Sequence, residues 1–578
     1  MTKRLRNRLI LSVAAVLGVV TLGPVLAVQY LDWNPHRDRV AGWLSAILNR
    51  NVSISGALDL QLWPAAHIKV AGLRIESPDD AFKAPLLDLK SASIEISLGA
   101  LVSQTILIER LEVDNAALSL QSLPDGRNNW TFSDSKRPKK HQPSAWTTVV
   151  RVAAIRDSEF GFSGRNPRFD QRLEIDELSS SLPEGRAQST LIARGRYNEK
   201  PLTINGSLAL SGDDDVDATL AVDLGATSGT VIGPIRDVMD GGNANLALRF
   251  ETTDLAEAVG TVIPGLTSRA RQTLAGTGLV TAEVNGWLPE GIRLEKVDVM
   301  TNSALLQVTA SGEVELWRPG QVGLLPASNL RVLLETQALS ELTALFDGLL
   351  PLDAMAQAQG VLSGAPGNFR LDEIVFEASG AVVEVSGTGR LEHIGSEEGL
   401  WLDLETKTAT PNLARLMGAY GLIIPIDGSA SASARVWGSR GQVRVEDIDA
   451  EVIAQSASLR AGGSIGPLGP SAEFDLPFEG ATTSLEALLG GFAITLPGDL
   501  SGTVGGSLKG TRNDLHFRDL DIDLRSDLLS TSLTGSVGPL GPRASINMPF
   551  RAELKDVAAL AAHFGRPLPF SGTGSAQG

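Results

Sequence analysis

Few residues in this sequence have the type and spacing for catalysis. Gly462-Gly463-Ser464-Ile465-Gly466 fits the GxSxG pattern of a serine nucleophile. In a hydrolase that serine sits on a sharp turn from strand into helix, which exposes its Oγ. Here Gly466, Pro467, Gly469 and Pro470 follow, so no helix starts at the serine. A later stretch, Gly535–Pro542, reads GSVGPLGP and marks Ser464 as part of a turn. Asp519, Asp521 and Asp523 alternate with Leu520, Ile522 and Leu524. On a strand they would lie on one face at ~7 Å intervals, close enough to pair as acid and base or to hold a metal. No separate histidine or metal-binding pattern accompanies them, so a hydrated outer face is expected. Asp213-Asp214-Asp215 lacks the spaced ligands and downstream Glu of a calcium loop. The glycine-rich stretch Gly502–Gly510 lacks the Gly-Lys-Ser/Thr of a phosphate loop. His36, His67, His141, His393, His516 and His563 are scattered, with no HExxH. There is no cysteine, which excludes disulfides, thiol nucleophiles and Cys-based metal sites. A protein without enzymatic activity, cofactor or metal is expected.

The elements around these residues form a repeat. Leu485, Leu488, Leu489 and Phe492 fall on one face of a short helix, with Ser484 placed to cap it. Leu413, Leu416, Met417 and Tyr420 repeat that face, as do Val557, Leu560, Ala561 and Phe564. Leu339, Leu342 and Phe346 do so with Thr343 at the remaining position. A proline follows each helix at Pro351, Pro425, Pro497 and Pro569, at intervals of 74, 72 and 72 residues. Gly364, Gly438 and Gly510 follow the first three prolines by thirteen residues. A less regular copy starts at Leu255. After each helix come strands of period two, of which Asp519–Leu524 is the clearest.

Before the repeats the chain is also strand-like. Val52 and Ile54, then Leu58, Leu60 and Leu62, alternate with polar residues. Further alternation runs through His67–Ile75, Ile94–Leu98, Ile106–Val113 and Leu118–Leu120, with Asp125–Trp130 as a turn. The N-terminus differs. Lys3, Arg4, Arg6 and Arg8 precede an uncharged run from Leu9 to Leu31, long enough to cross a bilayer. The basic flank places the N-terminus in the cytoplasm and the bulk of the chain on the far side. Val25-Leu26-Ala27 offers a signal-peptide cleavage pattern, but the run exceeds the ~7–15 residues of a signal core, which favours a retained anchor. Residues 36–48 form an amphipathic helix with Val40, Trp43, Leu44, Ile47 and Leu48 on one face. That face packs on its own sheet or lies on the membrane surface, with Trp43, Leu44 and Ile47 as the membrane candidates.

Composition agrees with a large β-protein. The chain has 578 residues, 60 of them glycine, and only 5% aromatics. Its net charge of −17 argues against nucleic acid as a main partner, which needs clustered Lys and Arg. The organisation reads as a cytoplasmic tail (1–8), an anchor (9–31), an N-terminal module (32–134), a basic linker (135–147) and a β-rich region (148–252). An irregular repeat (253–338) and three regular ones (339–411, 412–483, 484–555) follow, then an incomplete copy (556–578). That incomplete copy suggests a fragment or an unfinished last unit. The linker residues Lys136, Arg137, Lys139, Lys140 and His141 read as a solvated loop or as a contact for anionic headgroups.

Several segments occur in a familiar order. GxLxLxLxP spans Gly56–Pro64, followed by Ala84–Leu120, then DGRNNWTF at Asp125–Phe132. Ile155–Ser163, Ile175–Leu182 and Gly195–Leu208 continue the order. Together with the anchor, this set resembles the N-terminal region of the AsmA-like family. The resemblance is close over residues 1–210 and rests on general character thereafter. It implies an anchor in the inner membrane of a Gram-negative bacterium and a large periplasmic part. It also implies kinship with bridge-like lipid transfer proteins, whose long curved sheet forms an apolar groove. Such proteins serve outer-membrane biogenesis and phospholipid movement between the two membranes.

The expected fold is therefore mainly β: an N-terminal transmembrane helix, then a long, curved, groove-like antiparallel sheet with short amphipathic helices and internal repeats. Each strand would show one acidic and one aliphatic face. Leaving the aliphatic face in water costs ~25 cal/mol per Å², so it either closes into a sandwich or receives acyl chains. The groove candidates are Leu58, Leu60, Leu62, Leu520, Ile522 and Leu524, with phospholipid as partner. An alternative is a scaffold that binds outer-membrane proteins through its sheet edges.

Overall fold

The computed structural model describes residues 32–578 except 62–64, 124–126, 131–146, 164–169, 212–214, 239–241, 263–267, 288–290, 318–326, 345–352, 366–367, 395–398, 420–427, 440, 470, 491–498, 512–513, 541–543 and 564. The candidate anchor, Leu62, most of the basic linker, Asp213, Asp214, Pro351, Pro425 and Pro497 lie outside the described residues. So do the helix aromatics Phe346, Tyr420, Phe492 and Phe564.

The described chain is mainly β, and its α-helices are all of twelve residues or fewer. Two compact units divide it, one up to Ser303 and one from Ser328, with residues 304–327 shared between them.

In the first unit, strands pair with their neighbours in chain order, almost always antiparallel. One pairing departs from the expected antiparallel sheet. Thr105–Gln121 pairs in parallel with Thr147–Val150 and Val152–Ser163. Parallel neighbours need a crossover instead of a hairpin, and the basic linker lies within that connection. The alternating runs 106–113 and 118–120 belong to one strand, Thr105–Gln121, which carries Asn115 at φ 53°. Among the described residues no ladder joins the first strands, Val52–Ile54 and Leu58–Gln61, to the last, Gly291–Ser303, so this sheet is open.

Residues 125 and 126 of the expected turn lie outside the described residues, but one buried side chain just after them ties the segment to its neighbours. Asn129 is 0% exposed. Its Oδ1 accepts from the Gln121 amide at 2.8 Å, and its Nδ2 donates to Ser119 O at 2.7 Å and Ser77 Oγ at 3.1 Å. Arg127 pairs with Asp79, and Trp130 packs at 5.9 Å from Phe162.

In the second unit four strands separate the first helix from the second, and four the second from the third. Ala354–Ala365, Asn368–Gly380, Glu384–Ile394 and Trp401–Thr410 lie between the helices Leu339–Ala344 and Leu413–Ala419. Gly428–Ser439, Arg444–Ala454, Ala457–Gly466 and Glu473–Thr482 lead to the helix Leu485–Gly490. The helices starting at Leu413, Leu485 and Val557 begin where a side chain satisfies a free amide of the first turn. Asn412 Oδ1 accepts from Arg415 N at 2.8 Å, Ser484 Oγ from Ala487 N at 3.1 Å, and Asp556 Oδ1 from Ala559 N at 2.9 Å. Two residues before each of the first two caps stands a threonine. Thr410 Oγ1 donates to Val382 O at 2.6 Å and accepts from Asn412 N at 3.2 Å. Thr482 does the same with Ser456 O at 2.8 Å and Ser484 N at 3.2 Å. A short β-branched hydroxyl can both continue the strand and turn the backbone out of it.

The repeat also carries a recurrent β-bulge, which corrects the expected strand at 519–524. Glu373, Asp447 and Asp519 have φ of 53°, 52° and 51°. Beside them the ladder slips at Gly360, Ala434 and Gly506. Arg518 faces Ser507, Asp521 faces Gly505, and Asp519 is the extra residue with no ladder partner. The carboxylate row therefore shortens to Asp521 and Asp523. An inserted residue shifts side-chain parity, and Asp tolerates the left-handed backbone that it needs.

Asn129→Ala is expected to destabilise the N-terminal region by about 2–4 kcal/mol, because it removes the partner of a part-buried amide and a part-buried carbonyl. Hydrogen exchange checks this: the Gln121 amide should lose protection while strands of the second unit keep theirs.

Candidate functional site

Ladder partners share a sheet face, so the register lists what each face presents. In the first unit one line crosses thirteen strands without a polar residue. It runs Leu58–Val70–Ala92–Val113–Ile155–Leu178. It continues Ala193–Ile204–Val222–Gly229–Phe250–Val280–Val299. At about 4.8 Å per strand that is roughly 58 Å of apolar path. The adjacent line, on the other face, begins Asp59–Lys69–Ser93–Glu112.

The second unit repeats the arrangement with smaller side chains. Its line runs Ala356–Ala378–Val385–Thr408–Ala432–Ala450–Ala461–Phe478, apolar except for Thr408. On the other face lie Glu384, Ser431, Glu451, Arg460, Glu479 and Asp521, each in register with the next strand's member or with an intervening small residue.

On the apolar face of the second unit lies a hollow of 570 Å³. Val452, Leu459, Val504, Ile522 and Leu524 line it from the strands, and Leu413, Leu485 and Leu488 from two helices. Ile522 and Leu524, both expected from alternation, line it together. Leu520 does not: it is 7% exposed. It packs with Phe478 over Gly506, where an added Cβ would lie 3.0 Å from Leu520 Cδ2 and 3.2 Å from Phe478 Cζ. Phe478 in turn meets Phe517 edge-on at 5.7 Å. In the first unit Leu58 is 8% exposed and opens the apolar line, while Leu60 is half-buried opposite Ile68. Sequence reading missed Val452, Leu459 and Val504. Their alternation was visible, but their meeting depends on pairing between strands.

The helix Arg37–Leu48 divides the face expected of it. Ala41 is buried and Leu44 half-buried toward the sheet, whereas Trp43 and Ile47 are 65% and 59% exposed. Leu44 therefore parts from the two residues with which it was grouped.

The opposite face is ionic. A polar hollow of 790 Å³ there is lined by Glu377, Glu384, Lys407, Asp449, Glu451 and Arg460 among others. Arg435 grips Asp403 with both ends of its guanidinium, Nε at 2.8 Å and Nη2 at 3.0 Å. Arg390 lies 3.6 Å from the same carboxylate and 5.2 Å from the Trp401 ring. The hydrogen bond from Arg435 holds the Asp403 carboxyl below the usual carboxylate range, against its partial desolvation. Ser464 lies within the strand Ala457–Gly466, opposite Asp475, with no helix after it. Among the described residues no three His, Asp or Glu side chains are grouped to hold a metal.

A profile of the AsmA family matches residues 1–180. Over these residues the chain is similar to the AsmA family. An AsmA family protein, YhjG of Escherichia coli strain K12, is 25% identical over 292 residues, covering 43% of this chain and 43% of that protein. The chain thus spans less than half the length of the curated relative it matches. No solved structure matches. The AsmA region contains the start of the apolar line, from Leu58 to Leu178. Among the described residues no helix is long and apolar enough to cross a membrane.

A depressed Asp403 pKa contributes stability above the unfolded value of about 4, and that contribution disappears as pH falls through the folded value. Arg435→Gln should therefore lower the melting temperature at neutral pH. The gap from wild type should begin to narrow below about pH 4 and close only as pH falls through the lower folded value, beneath which Asp403 is protonated in both. Melting curves across that range check the sign.

Proposed function

We propose that this chain is a membrane-anchored exported protein that binds phospholipid on the apolar face of its sheet. In this reading residues 9–31 hold it in the inner membrane of a Gram-negative bacterium, with the bulk in the periplasm. It conducts phospholipid between inner and outer membranes and so serves outer-membrane biogenesis. The observation that carries the reading is the unbroken apolar line across thirteen strands, together with the 570 Å³ hollow in the second unit. The similarity of residues 1–180 to the AsmA family supports it.

The chemistry needs no covalent step. An acyl chain that leaves water for an aliphatic wall gains about 0.8 kcal/mol per buried methylene. A phosphate headgroup would lose far more if buried, so it stays hydrated at the rim. Small residues along the second unit's line, such as Ala432, Ala450 and Ala461, leave depth above the sheet for a chain to lie in. Repetition then serves transport: similar apolar surface on each strand gives an acyl chain no single deep trap.

Photo-crosslinkers at Ile522 and at Asp521, neighbours on opposite faces, test this in cells. Ile522 should capture phospholipid and Asp521 should not. Equal capture at both, or a stable protein partner without lipid, would replace lipid binding with a scaffolding role.

A further inference from the structure

We propose that the outer stripe of the helix Arg37–Leu48 rests in the interface of an anionic phospholipid bilayer and holds the first strands of the sheet at that surface. The proposal rests on the reading of residues 9–31 as a membrane anchor, but not on lipid binding by the sheet, since it concerns a different face of the molecule.

The helix cannot roll. Ser45 Oγ accepts from Val52 N at 2.9 Å and donates to Ala41 O at 2.8 Å. At the other end Asn34 Oδ1 accepts from Leu58 N at 3.0 Å, and Arg37 reaches Ser55 O at 3.4 Å. These bonds direct Ala41, Leu44 and Leu48 toward the first strands. The opposite stripe holds Arg39, Trp43 and Ile47, four residues apart and therefore one above another. Trp43 and Ile47 are 65% and 59% exposed. The inner stripe would satisfy the sheet by itself, so an aromatic and a branched aliphatic residue on the outside need another partner.

Position and charge identify that partner. The uncharged run Leu9–Leu31 ends three residues before Asn34. That is about 10 Å of extended chain, so a helix that follows a membrane anchor lies at the bilayer surface. Tryptophan favours this depth, with its ring among the headgroups and upper acyl carbons. Arg39 puts a cation on the same stripe, in a chain whose net charge is −17. Asp38 lies off the stripe, 3.9 Å from Arg37. A basic residue beside exposed Trp and Ile suits an anionic lipid surface. Because Asn34 is bonded to Leu58, seating the helix also brings the start of the apolar line close to the membrane.

The absence of cysteine makes the test direct. The full chain carrying Ile47→Cys is labelled with an environment-sensitive fluorophore and reconstituted into vesicles of phosphatidylethanolamine and phosphatidylglycerol. Ile453→Cys, at a strand position 53% exposed, is the control. The probe at position 47 should emit further to the blue and be quenched about twofold by acyl-brominated lipid, with no effect at position 453. Trp43→Cys repeats the reading at a second position on the stripe. Equal emission and no quenching at 43 and 47 would overturn the proposal. So would a blue shift without lipid quenching, which means that protein covers the stripe.

Discussion

The backbone hydrogen-bond ladder is the constraint on which the rest of this structure depends. Each strand satisfies its amides and carbonyls sideways, through its neighbours, which leaves the two faces free to differ. The pleat then sorts the sequence, with odd and even residues on opposite faces. Leu58 and Asp59 show the result at the start of the first unit, and Ile522 and Asp521 show it late in the second. A chain with few and short helices has little with which to cover the apolar side. The surface that remains uncovered is the feature that separates this fold from a packed sandwich.

The helices manage strand ends. Thr410 and Thr482 bend the chain out of a strand, Asn412 and Ser484 cap the helix that follows, and the return strand pairs beside the one just left. In doing so the helices bring Leu413, Leu485 and Leu488 over the end of the apolar face and partly enclose it. The bulges at Glu373, Asp447 and Asp519 act on the strands in between. Each inserts a residue, and local twist rises at an inserted residue. Their recurrence at intervals of 74 and 72 residues makes them part of the repeat.

The ionic face presents charged, hydrated side chains on one side of the sheet. Its pairs are mostly exposed, and exposed pairs are worth ~0–1 kcal/mol each. Arg435 with Asp403 is the better-formed case, because the carboxylate is only 15% exposed and bound at both oxygens. Such pairs also disfavour slippage, since a one-residue shift would carry Arg435 to the face that holds Ala434 and Val436.

Much of the architecture was legible in the residues alone. The period-two alternation, the helix faces, the Ser484 cap and the 72–74-residue repeat are local properties, set by pleat geometry and by the pitch of a helix. The AsmA resemblance was legible for the same reason, as an ordered set of such segments. What only the tertiary structure decided is which strand pairs with which, and at what offset. That pairing lines Leu58 up with Val70 and Ala92, and gathers Leu413 and Leu524 around one hollow although 111 residues separate them. It also placed Asp519 in a bulge and turned Leu44 away from Trp43. Register is a bond between distant segments, and nothing in the alternation of a single strand encodes its offset from the next.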